Sequence, residues 1–285
     1  MKKIFLFALL CLPFVQLKAQ QGIVFKVKYL PNHNYKVGFK VGIKLNATIT
    51  GDPALMDNLS KSGFTSPIAV NMDMAMDGST TTGALAADKS FPLNMSYMIS
   101  NLSVEANGKQ APIPPKITEM NLKMTGHVNS EGQIQIDSAM GKKVSDTAQK
   151  KMQQTMNLFQ KQIQFPDKPL KPGDSFTQTM PLNLPMGGNS SNNVQMNYSI
   201  TYKLISISDG KAFFDVVPNF NMNFSIKDVT IAMSATGLGK MIYSIKDNFP
   251  VSSDGNFTMK LKVSSAKINV DGTALVTTNY TTVIN

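Results

Sequence analysis

The chain has 285 residues, with 28 basic against 18 acidic side chains, and every basic residue is lysine. Arginine is the side chain that reads phosphate and guanine through a bidentate fork, so its absence argues against specific nucleic-acid recognition. Trp is absent too, which weakens stacking-based carbohydrate binding, and the single cysteine, Cys11, lies close to the N-terminus.

Residues 1–19 read as a signal peptide. Lys2 and Lys3 form the positive n-region, residues 4–15 the apolar h-region, and Ala19 suits cleavage before Gln20. The h-region is too short to span a bilayer, which takes roughly 20 apolar residues. No later segment is apolar for long enough, so no transmembrane segment is expected. A cysteine in such a peptide can be an acylation site, but Leu10 stands where a lipoprotein signal needs a small residue. Cys11 therefore reads as an h-region hydrophobe that leaves with the peptide. What remains has no thiol, which excludes disulfides, zinc-cysteine sites and cysteine nucleophiles. Lys2, Lys3 and Lys18 also leave, so 25 lysines face all 18 acids and the balance is +7. Dispersed lysines of this kind usually form a solvated face.

Period-two alternation then dominates. Tyr35, Val37, Phe39, Val41, Ile43, Leu45, Ala47 and Ile49 take one side of a strand, with Lys36, Lys40, Lys44 and two glycines on the other. At about 3.3 Å per residue this strand would run roughly 50 Å, and Gly38 and Gly42 are placed to let it bend. Residues 52–66 read as a loop. Residues 70–77 then alternate Met72, Met74 and Met76 with Asn71 and Asp73. Leu93, Met95, Tyr97, Ile99 and Met120, Leu122, Met124 repeat the pattern. So do Val194 with Met196, Tyr198, Ile200, Tyr202, Leu204, then Phe220, Met222, Phe224, Ile226, and Phe257, Met259, Leu261, Val263. Clean alternation of this kind means antiparallel sheet with one packed and one wet face. Asp77-Gly78, Asn107-Gly108, Asp209-Gly210, Asp254-Gly255 and Asp271-Gly272 carry turn chemistry between the runs. Residues 108–116 and 183–193 read as further loops.

One segment keeps a different period. Val144, Ala148, Met152, Met156, Phe159 and Ile163 share a helical face, with Ser145 as N-cap and Pro166 as the stop. The spacing predicts one long amphipathic helix over about 145–165, followed by a stiff Pro-rich connection at 166–173. The helix and connection join two β halves, 22–140 and 174–285, of a single β-rich domain at 20–285. Two stretches, 94–104 and 196–206, are faintly alike, as an old duplication or as alternating strands in general would be.

Catalytic signals are thin. Gly173-Asp174-Ser175-Phe176 is close to the Gly-Asp-Ser-Leu block of a large esterase family, in which the serine is the nucleophile. That chemistry needs a base, usually a histidine late in the chain. His33 and His127 are the only histidines, and both precede Ser175. Gly173-Asp174 therefore reads as a turn opening a strand. His127 should lie on a wet face and His33 in a turn, neither at metal-ligand spacing. Asp73 and Asp77 share a face but stand about 13 Å apart along it, too far to pair. Ala235-Thr236-Gly237-Leu238-Gly239-Lys240 lacks the first glycine and the final Ser or Thr of a phosphate loop. It reads as a bend or bulge in a strand. No metal and no cofactor is expected.

The methionines are the unusual feature, 19 in all with most on predicted packed faces. Methionine is pliable and polarizable, so a face built from it gives up packing definition for adaptability. One reading is a core with irregular gaps. The other is a cavity for a lipid or acyl chain between sheet and helix, lined by Met72, Met74, Met76, Met95, Met120, Met124, Met152, Met156 and Phe159.

Several stretches resemble an uncharacterised family of secreted Bacteroidota proteins, a domain of unknown function. They are Tyr29-Leu30-Pro31 ahead of the long strand, the mid-chain helix, Phe165-Pro166 through Ser175-Phe176, the Tyr202 strand, and Gly237-Leu238-Gly239-Lys240 through Asp247. Phe176 stands where that family usually has Trp. The resemblance implies an exported protein and no assigned activity. The architecture is also similar to the half-barrel carriers of lipids and lipoproteins in bacterial envelopes. Together these readings predict a mainly β fold, a curved antiparallel sheet or incomplete β-barrel with one long helix. The expected function is an exported, periplasmic or extracellular, non-catalytic envelope protein holding a hydrophobic ligand. The alternative is an envelope interaction module whose polar sheet face contacts a protein or glycan.

Overall fold

The alternating stretches of the sequence become strands of one antiparallel sheet in the computed structural model, which describes residues 22–61, 65–113, 121–139, 142–143, 163–185, 193–226 and 228–285. In chain order the elements are β1 (Asn34–Gly51), α1 (Pro53–Lys61), β2 (Ile68–Thr82), β3 (Phe91–Ala106), β4 (Lys109–Gln110), β5 (Asn121–Val128), β6 (Ile134–Ala139) and β7 (Lys142–Lys143). After them come β8 (Ser175–Pro185), β9 (Asn193–Ser208), β10 (Lys211–Ile226), β11 (Val229–Ser244), β12 (Phe249–Ser264) and β13 (Ile268–Ile284). The spatial order is β7-β6-β5-β3-β2-β1-β13-β12-β11-β10-β9-β8, with β4 folded back onto β3.

Two up-and-down meanders therefore meet where the first long strand pairs with the last. β1 and β13 run in register from Tyr35↔Ile284 to Gly51↔Ile268. Asn34 and Asn285 exchange backbone hydrogen bonds of 2.8 and 3.0 Å at the end of that seam. Neighbouring strands in each meander follow one another closely along the chain, so most pairings are local. The β1–β13 pairing is the one that must bring distant parts of the chain together, and such long-range pairing slows folding. Among the described residues the sheet does not close: β7 and β8 are its edges. The β8 edge contains Pro181 and Pro185, which offer no backbone N–H to a passing strand and so protect it from edge-to-edge association.

The turn chemistry separates into two groups. Asn107-Gly108 and Asp209-Gly210 are turns, each pair with positive φ: 49° and 77°, 51° and 71°. Asp77-Gly78, Asp254-Gly255 and Asp271-Gly272 lie inside β2, β12 and β13 instead. Gly78 and Gly255 answer to crowding across the sheet, whereas a Cβ on Gly272 would meet nothing nearer than 3.5 Å. A Cβ on Gly255 would sit 2.8 Å from Thr278 Oγ1 of β13, for example. The same correction applies to Gly237 and Gly239, which stand within the regular register of β11 and not at its bulge, which falls at Ile242/Tyr243. A Cβ on Gly237 would lie 2.2 Å from the Asn256 carbonyl oxygen of the neighbouring strand.

The expected loop at 52–66 contains the one helix among the described residues, a 9-residue element. Its start is well specified: Pro53 occupies the first position, and the Asp52 carboxylate accepts hydrogen bonds from Ala54 N at 2.9 Å and Leu55 N at 3.3 Å. The long helix expected over 145–165 falls on residues that, through 162, lie outside the described set. Its described end, 163–165, is not helical. There Ile163 and Phe165 pack against a buried cluster. The helix that is described is thus short and elsewhere in the chain.

Burial is concentrated at one end of the strands. One cluster joins Tyr202, Leu204, Ala212, Phe214, Met241 and Tyr243 to Phe25 and Leu170. A second joins Phe91, Leu93, Met95, Met124, Val128, Ile134 and Ile136. Residues 22–33 form an arm across this end. Ile23 pairs with Leu170 in an isolated antiparallel bridge. Ile23, Phe25, Val27 and Tyr29 all pack against the two clusters, while Val24, Lys26 and Lys28 are exposed. Two buried tyrosine hydroxyls pin the arm's backbone: Tyr35 accepts from Leu30 N at 2.7 Å, and Tyr243 donates to Lys26 O at 2.5 Å. Thr82 adds a third tie, donating to Leu30 O at 2.6 Å. The arm therefore gives its polar backbone to partners and its apolar side chains to the core.

Candidate functional site

The register of the six central strands, β3-β2-β1-β13-β12-β11, puts all their charged side chains on one face, which also carries the exposed Met98, Leu238, Leu275 and Val283. The other face carries Val37, Phe39, Val41, Ile43 and Leu45 of β1. Beside them stand Met76, Met74 and Met72 of β2 and Ile99, Leu102 and Val104 of β3. On the other flank lie Tyr280, Thr278 and Val276 of β13, then Gly255, Phe257 and Met259 of β12, then Ala235 and Met241 of β11. Every charged residue of these strands points the other way: Lys36, Lys40, Lys44, Asp73, Asp77, Glu105, Lys240, Asp254, Lys260, Lys262 and Asp271. A one-residue slip in any strand would exchange the faces, so the alternation holds the register.

Away from the arm the uncharged face is only half-buried. Val37, Phe39, Val41, Ile43 and Leu45 retain intermediate exposure, and so do Met72, Met74 and Met76. Met72 lies between Ile43 and Val104, Met74 between Val41 and Leu102, and Met76 between Phe39 and Ile99. The expected lining residues thus divide into groups. Met72, Met74 and Met76 stand together on the half-open face. Met95 and Met124 face each other across β3 and β5, 3% and 4% exposed, and are core side chains. Met120, Met152, Met156 and Phe159 lie outside the described residues. The two best-formed depressions, of about 630 and 320 Å³, are both on the charged face. The larger is bordered by Lys40, Gly42, Asp73, Asn101, Ser103 and Asn279. Among the described residues the uncharged face is a half-buried apolar surface there.

Where that surface meets the arm, hydroxyl groups converge. Tyr97 of β3 lies flat over Gly78 of β2, at whose missing Cβ its ring atoms would be 2.5 and 2.6 Å away. This brings its hydroxyl to 3.4 Å from Thr80 Oγ1. Thr282 of β13 donates to the Tyr280 hydroxyl at 2.5 Å. Tyr29 of the arm stacks edge-on against Tyr35, ring centroids 4.8 Å apart, with Phe249 behind it at 5.3 Å. Burial raises the Tyr29 hydroxyl far above the usual phenol range and Tyr97 less far. Tyr280 is pushed up to about 12, again chiefly by burial. Hydrogen bonds to Thr80 work in the opposite direction for Tyr29 and Tyr97 without prevailing. Yet the side chains of Tyr29, Tyr97 and Tyr280 all keep intermediate accessibility. These three hydroxyl-bearing rings are packed by protein on most sides and keep part of their surface accessible. Sequence reasoning missed this belt, although its alternation placed Tyr97 on the packed face. Nothing in the spacing reveals that Gly78 admits the ring.

Gly78→Ala is expected to displace Tyr97 and lower the unfolding free energy by about 1–3 kcal/mol. Urea denaturation together with loss of the near-ultraviolet tyrosine signal checks this.

The other chemistry-bearing residues are dispersed. Ser175 is exposed at the start of β8, and the Asp174 carboxylate beside it accepts a 2.8 Å hydrogen bond from Lys171 N in a turn with Gly173 at φ 98°. His127 is on the wet face, 3.2 Å from Asp137 Oδ2 in an exposed contact. The His33 ring contacts its own turn, Nδ1 to Pro31 O at 2.6 Å. Among the described residues no group of three or more acidic or histidine side chains converges as a metal site, and no helix is long and apolar enough to cross a membrane.

No protein-family model matches the chain, and no curated protein matches it. Among solved structures it is similar to OccK11 (OpdR) of Pseudomonas aeruginosa, at 8% identity and a TM-score of 0.21, over 92% of this chain and 100% of that one. It is also similar to OccK7 (OpdD) of the same organism, at 6% identity and 0.22, over 89% and 100%. Superpositions this loose do not establish a common fold.

Proposed function

We propose that the protein is an exported, non-catalytic envelope protein that holds a hydrophobic ligand against the uncharged face of its sheet. The observation that carries this reading is the half-burial of that face beyond the arm. A contiguous apolar surface left this open on a soluble domain marks a binding surface. Its side chains around Met72, Met74 and Met76 are the adaptable kind that suits acyl chains of varied shape. The expectation of an enclosed, Met-lined cavity is reshaped accordingly: Met95 and Met124 belong to the core, and the ligand surface is Met72, Met74 and Met76 with their neighbours on β1 and β3. Native mass spectrometry and solvent extraction of the protein purified from its own host test the reading. The expected result is a co-purifying lipid; ligand-free protein contradicts it.

A second reading rests on the 630 Å³ depression of the charged face, whose Lys, Asp, Asn and Ser groups suit a polar partner, a protein or glycan. It predicts a reproducible cross-linked partner and no lipid.

A further inference from the structure

The reading of the uncharged face as a ligand surface leaves open which lipids it takes. Its polar groups near the arm are neutral hydroxyls, and the charged group close to them, Asp247 near Tyr35, is an acid. The hydroxyls of Tyr29, Tyr97, Tyr280, Thr80 and Thr282 gather there, and every charged residue of the six central strands lies on the opposite side of the sheet. Resting on that reading, we infer that the ligand is a single-chain lipid with an uncharged, hydrogen-bonding head, such as a monoacylglycerol. Its head meets the hydroxyls of Tyr29, Tyr97 and Tyr280 beside the arm, which the buried Thr80 and Thr282 hold in place, and its tail runs along Phe39, Val41, Met74 and Met76.

Three physical points favour a neutral head. A carboxylate or phosphate brought among these hydroxyls would lose water with no lysine of the six central strands on that face to replace it, whereas a hydroxyl or ester carbonyl needs only one donor or acceptor. The same surroundings hold the three tyrosines in their neutral form, so they disfavour any anion at that place. Each tyrosine hydroxyl both donates and accepts, which suits a head that carries both kinds of group. From Phe39 to Ile49 the face extends about 33 Å, enough for an extended acyl tail.

The test is calorimetric binding of 1-monododecanoylglycerol and of dodecanoate, at pH 8 and below their aggregation limits, to the full chain stripped of lipid. The expected result is a preference of about tenfold or more for the monoacylglycerol, with the ratio falling towards unity in Tyr97→Phe/Tyr280→Phe through loss of monoacylglycerol affinity. The double variant keeps both rings, so the packing over Gly78 is retained, and its far-ultraviolet spectrum verifies the fold. Dodecanoate bound as tightly as the monoacylglycerol overturns the inference and leaves the apolar-face reading standing. So does a preference that survives the double variant. Binding of neither compound overturns both.

Discussion

Phe25→Ala is expected to lower the unfolding free energy by about 3–5 kcal/mol, the range for removing a buried phenylalanine from a core. Phe25 is 2% exposed, and its ring meets three others: Phe165 at 5.2 Å, Phe214 at 5.3 Å and Tyr243 at 5.2 Å. It is the side chain by which the arm enters the larger cluster, so truncation both opens a cavity and loosens the segment carrying Tyr29 into the smaller cluster. Val24→Ala, one residue away and 43% exposed, should change stability by less than about 0.5 kcal/mol. Urea denaturation of the two variants distinguishes an arm built into the core from one lying on it. Equal effects would remove the arm from the account of the fold.

The tyrosines set the second expectation. All seven are shifted upward, each chiefly by burial, and Tyr202, Tyr243 and Tyr280 reach about 12. A phenol whose folded pKa exceeds its unfolded value of 10.0 favours the folded state fully below pH 10. That contribution is lost as pH rises through the folded value. The protein should therefore keep its tyrosines neutral past pH 10 and lose stability steeply between about pH 10 and 12. Tyrosinate absorbance near 295 nm should then rise together with the loss of sheet structure in circular dichroism. Reversible ionisation of several tyrosines near pH 10, with the sheet intact, would contradict the burial described for them.

The strands and their two faces were legible because alternation reports them directly. Tyr35 through Ile49 and Met72 through Met76 lie on the faces expected of them, and the separate carboxylates of Asp73 and Asp77 share the wet face, opposite Gly42 and Gly38. The seam between β1 and β13 was not legible, because pairing between the ends of a chain leaves no local trace. The arm was readable in principle, since Ile23, Phe25, Val27 and Tyr29 alternate, but four apolar residues do not say that they cross the end of a sheet. Asp52-Pro53 carried a helix start in a stretch read as loop, because its helix is short and offers little apolar period. The Asp-Gly pairs misled at Gly78 and Gly255 because glycine serves close packing across strands as readily as it serves turns, and at Gly272 because the strand simply continues through it. At the candidate site, composition pointed to methionine, whereas the hydroxyl belt depends on how rings from separate strands lean together.

Two substitutions on adjoining strands distinguish the two faces of the sheet as lipid surfaces. Met74→Lys places a charge on the uncharged face, and Ser103→Lys places one on the opposite face beside Asp73. Native mass spectra of both variants and the parent, each purified from the natural host, should show bound lipid in the parent and in Ser103→Lys and none in Met74→Lys. Lipid retained by Met74→Lys, or absent from the parent, would contradict the assignment of the uncharged face as the ligand surface.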